Sequence, residues 1–269
     1  MTHNEAMLSD HLDEEIIKGG LSTSLLGRRV DYFRTTESTM DEARKTALDN
    51  APEGTLVVAE EQTSGRGRFQ RTWVSPPGVN LYFSLLLRPG PDYASQLTMM
   101  ASLALARVLR RLAQESSEVT IKWPNDVRMG GKKIGGILIE SSLAEGGADS
   151  FSIVGMGVNV NFDPGDYSDI KDIATSLQRE LGHPIHRLHL LRAIMEELEE
   201  LYLAIRQGSS VQKEWASLLD TLGHQVRVAW GEQVYEGYAQ GVDEDGSLVL
   251  RLSDGSLQTL AAGEVTFRT

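Results

Sequence analysis

The chain has no cysteine among its 269 residues. Disulfide staples, thiolate metal sites and cysteine nucleophiles are therefore excluded, and the composition fits a reducing compartment. A run of about 18 apolar residues, which a membrane-spanning helix needs, is also missing. The most apolar helical stretch, Met99 to Ala113, is broken by Arg107, Arg110 and Arg111. The acidic start (Glu5, Asp10, Asp13, Glu14, Glu15) lacks the basic and apolar regions of a secretory signal. A cytoplasmic protein with no membrane partner is expected. Positive charge is scarce too: 26 Lys and Arg against 38 Asp and Glu leave a formal net charge of −12. That balance argues against a nucleic-acid partner, which calls for a basic surface. There is no internal repeat or low-complexity tract.

Against this acidic background one stretch stands out. Gly65-Arg66-Gly67-Arg68-Phe69-Gln70-Arg71-Thr72-Trp73 packs three arginines and two glycines into nine residues. Glycine lets backbone approach a ligand and adopt positive φ. Arginine offers a planar, permanently charged fork for phosphate or carboxylate oxygens. The pattern predicts a loop that folds around an anion, with Trp73 as an apolar anchor; a solvated basic loop is the plain alternative. A second stretch, Lys122-Trp123-Pro124-Asn125-Asp126-Val127, ends a short β-like run from Val119. Lys132-Lys133-Ile134-Gly135-Gly136-Ile137-Leu138-Ile139-Glu140 follows a turn later.

The G-R-G-R-x-x-R-x-W loop followed by K-W-P-N-D resembles the biotin–protein ligase family, and the resemblance runs from about Leu21 to the C-terminus. It implies an α/β (α+β) catalytic domain of the class II aminoacyl-tRNA synthetase-like kind: a mixed, largely antiparallel sheet packed with helices. An SH3-like β-barrel is implied at the C-terminus. The expected division is an N-terminal extension (1–20), a catalytic domain (21–220) and the small barrel (221–269). Many bacterial relatives carry an N-terminal winged helix-turn-helix. Some twenty residues cannot hold one, so a form without a DNA-binding domain is expected.

Periodicity supplies the rest of the outline. Val30 to Phe33, Thr55 to Glu61, Asn80 to Leu87, Lys132 to Ser142 and Phe151 to Asn159 read as strands. The last two are joined by a turn at Glu145 to Asp149. Gln96 to Ala113 and Leu188 to Arg206 read as amphipathic helices with apolar residues at three- and four-residue spacing. Glu196, Glu197, Glu199 and Glu200 are read as the solvated face of the second. Ser38 is placed as an N-cap, with Asp41 completing a near capping box. Five short β runs after Thr221, punctuated by Gly231-Glu232, Asp245-Gly246 and Asp254-Gly255, fit a small barrel. His183, His186 and His189 have no supporting carboxylate nearby in sequence, so no resident metal site is expected.

The resemblance also implies an activity. Biotin and ATP would form biotinyl-AMP with Mg²⁺, and a lysine of a biotin carboxyl carrier protein would then take the biotinyl group. It implies Ser38, Thr39, Gln62, Gly65, Arg66, Gly67, Arg68, Trp73, Tyr82, Lys122, Gly136, Gly155 and Gly157 around biotin. Around ATP and its phosphates it implies Arg66, Arg68, Arg71, Trp73, Lys122, Asn125, Lys133 and Asn159. Lys122 is expected to bridge the two anions, Arg68 to act in a closing lid, and Tyr82 and Trp73 to form apolar walls. Asn125 and Asp126 are candidates to support Mg²⁺. Alternating Gly155 and Gly157 point to close approach of a ligand or to a packing need. Two positions depart from the family pattern: Met40 stands where Asn is usual, and Gln70 where Gly is common. A homodimer is compatible with the family, whose members differ. A lipoate or octanoate ligase is the nearest rival, and a non-enzymatic nucleic-acid-binding module is the rival from another class.

Overall fold

The structure is a computed structural model; it describes residues 10–89, 95–114, 116–142 and 150–268. The expected turn at Glu145 to Asp149 lies outside the described residues. Along the chain lie α1 (Glu14–Gly19), β1 (Val30–Thr36), α2 (Thr39–Leu48), β2 (Leu56–Gln62), β3 (Leu81–Leu87) and α3 (Gln96–Ala113). They are followed by β4 (Val119–Lys122), β5 (Asp126–Met129), β6 (Lys132–Ser142), β7 (Phe151–Val158), α4 (Leu177–Leu181), α5 (Arg187–Arg206) and α6 (Gln212–Ser217). Strands β8 (Gln225–Trp230), β9 (Gln233–Val242), β10 (Leu248–Arg251), β11 (Leu257–Leu260) and β12 (Glu264–Phe267) complete the chain.

The first seven strands form one sheet in the order β1-β2-β3-β7-β6-β5-β4. Only the β1–β2 pair is parallel. The two faces of this sheet have different fates because side chains alternate along each strand. Leu81, Phe83, Leu85, Val154, Met156, Val158, Val127 and Ile121 point into a core shared with α3 and α5. Twelve residues of α3 are buried, which is why its apolar periodicity is so regular. Each large side chain buried there contributes roughly 1.5–3 kcal/mol. The other face carries Val57, Leu86 and Ile153 under α2, and beyond α2 it opens into a cavity.

The remaining five strands form an antiparallel sheet in the order β11-β10-β9-β8-β12. Positive φ at Gly231, Gly246 and Gly255 turns the chain where the turn residues predict. The sheet is not tethered loosely. Val226, Val228, Leu248, Leu250 and Val265 join the same buried cluster as Trp123, whose indole donates to Gly246 O at 2.9 Å.

Several sequence expectations need correcting. Ser38 caps α2 by accepting from Met40 N, but Asp41 completes no capping box, because its carboxylate is held by Arg66. Asp126–Met129, to which the sequence pattern assigns no strand, forms β5. The α5 glutamates are not a uniformly solvated face. Glu197 is buried between Arg107 and Arg111. Glu199 is also buried and accepts from the amides of Ser24, Leu25 and Leu26. Burial pushes its pKa up, but those donors outweigh it and hold the carboxyl below its usual range. Among the described residues no helix is long and apolar enough to cross a membrane.

Candidate functional site

The cavity occupies about 530 Å³ on the open face of the seven-stranded sheet. Its floor is a row set by strand register: Gly157 on β7 pairs with Gly136 on β6, Gly136 with Asp126 on β5, and Asp126 with Lys122 on β4. Paired residues project to the same side of a sheet, so two side-chain-free positions lie beside an acid and an amine. A register shift between Val127 and Arg128 places one extra residue on β6. Such a bulge re-aims the side chains on its far side. Lys133 thereby reaches over Gly136 to Asp126 (2.7 Å) and the Trp73 ring (5.2 Å).

The arginine loop leaves β2 and returns beside it. Trp73 N donates to Gly65 O at 2.8 Å, Gly67 N donates to Arg71 O at 2.8 Å, and Arg66 bridges Thr72. The glycines serve this close approach of the two arms. Neither has positive φ; that conformation falls instead on Phe69 (56°) and Gln70 (58°) at the loop tip. Gly65 lies off the cavity lining, since a Cβ there would meet Trp73 O and Ser75 Oγ rather than open space. Tyr82 also departs from its expected place. It is fully buried in the glycine row, but the Trp73–Pro76 segment runs across it and its hydroxyl donates to Pro76 O (3.0 Å). Burial drives its pKa up. It supports the loop and does not line the cavity.

The three loop arginines are tied to three different parts of the molecule. Arg66 pairs with Asp41 (2.7 Å) and Glu140 (3.3 Å). Arg68, half-buried, donates to Asn125 Oδ1 (3.1 Å) and Gly263 O (3.4 Å). Its desolvation pulls its pKa down, and Asp126 and Glu264 oppose the shift. Arg71 pairs with Glu264 at the start of β12. Lys122 differs from all of these. It is half-buried, its ammonium makes no hydrogen bond or ion pair with the described residues, and it sits 5.9 Å from the Phe267 ring centroid. Burial lowers its pKa, with Asp126 pulling the other way.

At the opposite end, α2 presents Ser38, Thr39 and Met40 to the cavity. Gln62 Oε1 accepts from Thr39 N (2.9 Å) and Thr39 Oγ1 (3.2 Å), and its Nε2 donates to Ser75 Oγ (3.1 Å). Asn159 is buried on the wall, with Nδ2 donating to Thr175 O (2.9 Å). The structure thus brings together Ser38, Thr39, Gln62, Arg66, Gly67, Arg68, Arg71, Trp73, Lys122, Asn125, Lys133, Gly136, Gly155, Gly157 and Asn159. Lys132, beside Lys133, lines the cavity as well. Sequence reading missed Arg128, the Ile170–Ala174 segment and the Gly263–Phe267 edge. No local motif marks them; only the register of β5 and the docking of the second sheet place them there.

Seven lysines and arginines line the cavity against three carboxylates, Asp126, Asp172 and Glu264. In a chain of net charge −12 this is a concentrated positive site. A mainly antiparallel sheet with a cation-rich cavity on one face, closed at one edge by a small β-domain, defines a catalytic α/β domain built to hold anions. Residues 32–161 match the model of the biotin/lipoate A/B protein ligase family, and residues 221–268 match that of the biotin protein ligase C-terminal domain. The Bacillus subtilis bifunctional ligase/repressor BirA is 37% identical over 91% of this chain and 76% of its own length. The Paracoccus denitrificans biotin–[acetyl-CoA-carboxylase] ligase is 35% identical over 86% of this chain and 98% of its own. Among solved structures, the Aquifex aeolicus biotin protein ligase in complex with biotin and ATP superposes with a TM-score of 0.75. It is 29% identical, over 90% of this chain and 99% of that one. The chain belongs to the biotin protein ligase family.

Proposed function

We propose that this protein joins biotin to a lysine of a biotin carboxyl carrier protein or domain, at the expense of ATP, in two steps within the one cavity. A carboxylate oxygen of biotin attacks the α-phosphorus of ATP; the bond to the β-phosphate oxygen breaks, and pyrophosphate leaves with the electron pair. The neutral amine of the acceptor lysine then attacks the acyl carbon of biotinyl-AMP. AMP departs with the acyl–oxygen bonding pair, and the amine gives up a proton.

The central physical problem is the first step, which presses two anions together. The observation that carries the proposal is the pair of ammonium groups on the row of glycines. Lys122 makes no ion pair with the described residues that a substrate anion would have to displace. Lys133 stands between Trp73 and Gly136, nearer the floor than its sequence position suggests. Fixed cations aimed at developing charge, in a partly dehydrated site, stabilise the transition state without reorganisation. Lys122 is assigned to the phosphate side, next to the C-terminal sheet, and both lysines to the oxygen shared by the acid and the α-phosphate. Arg68 covers the adenylate, and closure of its loop keeps water from a hydrolysable anhydride. The α2 end, with Ser38, Thr39 and Gln62, offers donors and acceptors to a ureido group.

No group of three or more His, Asp or Glu side chains among the described residues is arranged to cage a metal. Mg²⁺ carried in by ATP would be held mainly by phosphate oxygens and water, and the cavity-lining carboxylates Asp126 and Asp172 would be available to its hydration shell. Its contribution when bound is to withdraw charge from the phosphates.

The test is intact-mass measurement of a carrier domain incubated with biotin, MgATP and this protein. The expected result is one added biotinyl group on a single lysine; no mass change with a carrier that other ligases modify overturns the proposal. Lys122→Ala is expected to keep the fold and lose biotinyl-AMP formation. Pyrophosphate release at the wild-type rate would remove Lys122 from the role.

A further inference from the structure

We propose that Met40, seated in the space left by the missing side chain of Gly155, sets the depth of the acid site and so decides which ring system it accepts. The inference rests on the biotin-ligase reading and adds to it a specificity-determining residue.

Met40 is the second residue of α2 and is only 4% exposed, yet it forms part of the cavity wall. A Cβ on Gly155 would overlap Met40 Sδ and lie 3.1 Å from its Cγ. Thioether and glycine therefore fit as plug and socket. Behind the plug is a closed apolar cluster that includes Ala43, Val57, Leu86, Phe151 and Ile153. In front of it stand Ser38, Thr39 and Gln62, and the Gln62 amide is held by Thr39 and Ser75. This end of the cavity thus has a polar rim and a thioether floor. A thioether is a weak acceptor and no donor, so discrimination at the floor operates by shape and dispersion. An unbranched side chain with three rotatable bonds is suited to fill such a gap. The ligand class is a compact bicyclic carboxylic acid, and Met40 would limit the room left above it for a larger ring system.

The experiment is isothermal titration of the full chain with biotin and with two analogues that each carry one extra methyl group on a ring carbon, so that the ureido N–H donors stay intact. It uses wild type, Met40→Ala, Gly155→Ala and the double variant. Wild type is expected to bind biotin and reject both methylated acids. Met40→Ala is expected to bind biotin roughly tenfold or more weakly, the scale of losing a methylene contact in an apolar pocket, and to admit a methylated acid. Gly155→Ala alone is expected to lose biotin, because its methyl meets Met40. The double variant is expected to regain biotin and reject the larger acids again, a non-additivity that only direct contact produces. Met40→Leu, which nearly conserves volume, guards against loss of fold and is expected to shift the ranking in the same direction by a smaller factor. An unchanged ranking in both Met40 variants overturns the proposal. Failure of wild type to bind biotin at all would instead overturn the functional reading beneath it.

Discussion

The indole of Trp73 lies directly against Gly157: a methyl group on that glycine would stand 2.6 Å from Nε1 and 2.8 Å from Cζ2. The ring spans from there to Gly136, where an added Cβ would be 3.0 Å from Cζ3. The two glycines are thus the bed on which the arginine loop's anchor rests. Gly157→Ala is expected to push Trp73 off the sheet at a cost of about 1–3 kcal/mol in strain, and to cut biotinyl-AMP formation at least tenfold. Gly136→Ala, with its longer contact, is expected to be the milder change. Adenylation rates and tryptophan fluorescence of the two variants check the order; equal effects would mean that Trp73 is not what the glycines accommodate.

Lys122 makes a pH prediction with a definite sign. Burial lowers its pKa, so in the free protein its ammonium loses its proton at a lower pH than an exposed lysine would. An arriving phosphate or adenylate favours the charged form and raises that pKa. Binding of biotinyl-AMP in alkaline buffer is therefore expected to take up protons, and affinity should fall as pH rises through the lowered pKa. Calorimetry in two buffers of different ionisation enthalpy measures the uptake. In Lys122→Ala the buffer dependence should shrink; a dependence of undiminished size would assign the proton to another group.

Arg68 is the loop cation with the deepest hold, through Asn125 and Gly263. Arg68→Gly removes both bonds and the guanidinium stacked 4.9 Å from the Phe69 ring centroid. The expected outcome is a protein that still makes biotinyl-AMP but releases it faster, by an order of magnitude or more, with free adenylate accumulating in solution. A retained-adenylate half-life equal to wild type would show that the loop is no lid.

How much of this was legible in the sequence depends on the range of the interaction. Short-period signals carried well: α3 and β4 lie where the pattern puts them, and the arginine loop and the K-W-P-N-D segment meet in one cavity. What was not legible required partners far apart in the chain. Gly155 and Gly157 read equally as ligand sites or packing sites until Met40 and Trp73 were seen against them. Glu197 and Glu199 looked solvated because helical periodicity does not show that Arg107 and the 24–26 amides cover them. The contribution of Gly263 to Phe267 depends on how the second sheet docks through Trp123, which no local pattern encodes.

Gln70 provides the last test, because the loop tip holds a conformation its sequence does not favour. Phe69 and Gln70 are consecutive non-glycine residues with φ of 56° and 58°. The left-handed region costs a residue with a Cβ roughly 1–2 kcal/mol. Glycine carries no such penalty, although it raises the entropy of the unfolded chain. Gln70→Gly is therefore expected to leave the global Tm nearly unchanged, since the two effects oppose each other, while making the folded-back loop locally easier to hold. Gln70→Ala removes the same side chain and keeps the strain, so it is the control. Arg68 and Arg71 flank the tip and are trypsin sites, and Arg71 is exposed. Limited trypsinolysis at these bonds should be slower in Gln70→Gly than in wild type, and no slower in Gln70→Ala. Cleavage of Gln70→Gly at the wild-type rate or faster would mean that backbone strain at this corner does not govern how the loop opens.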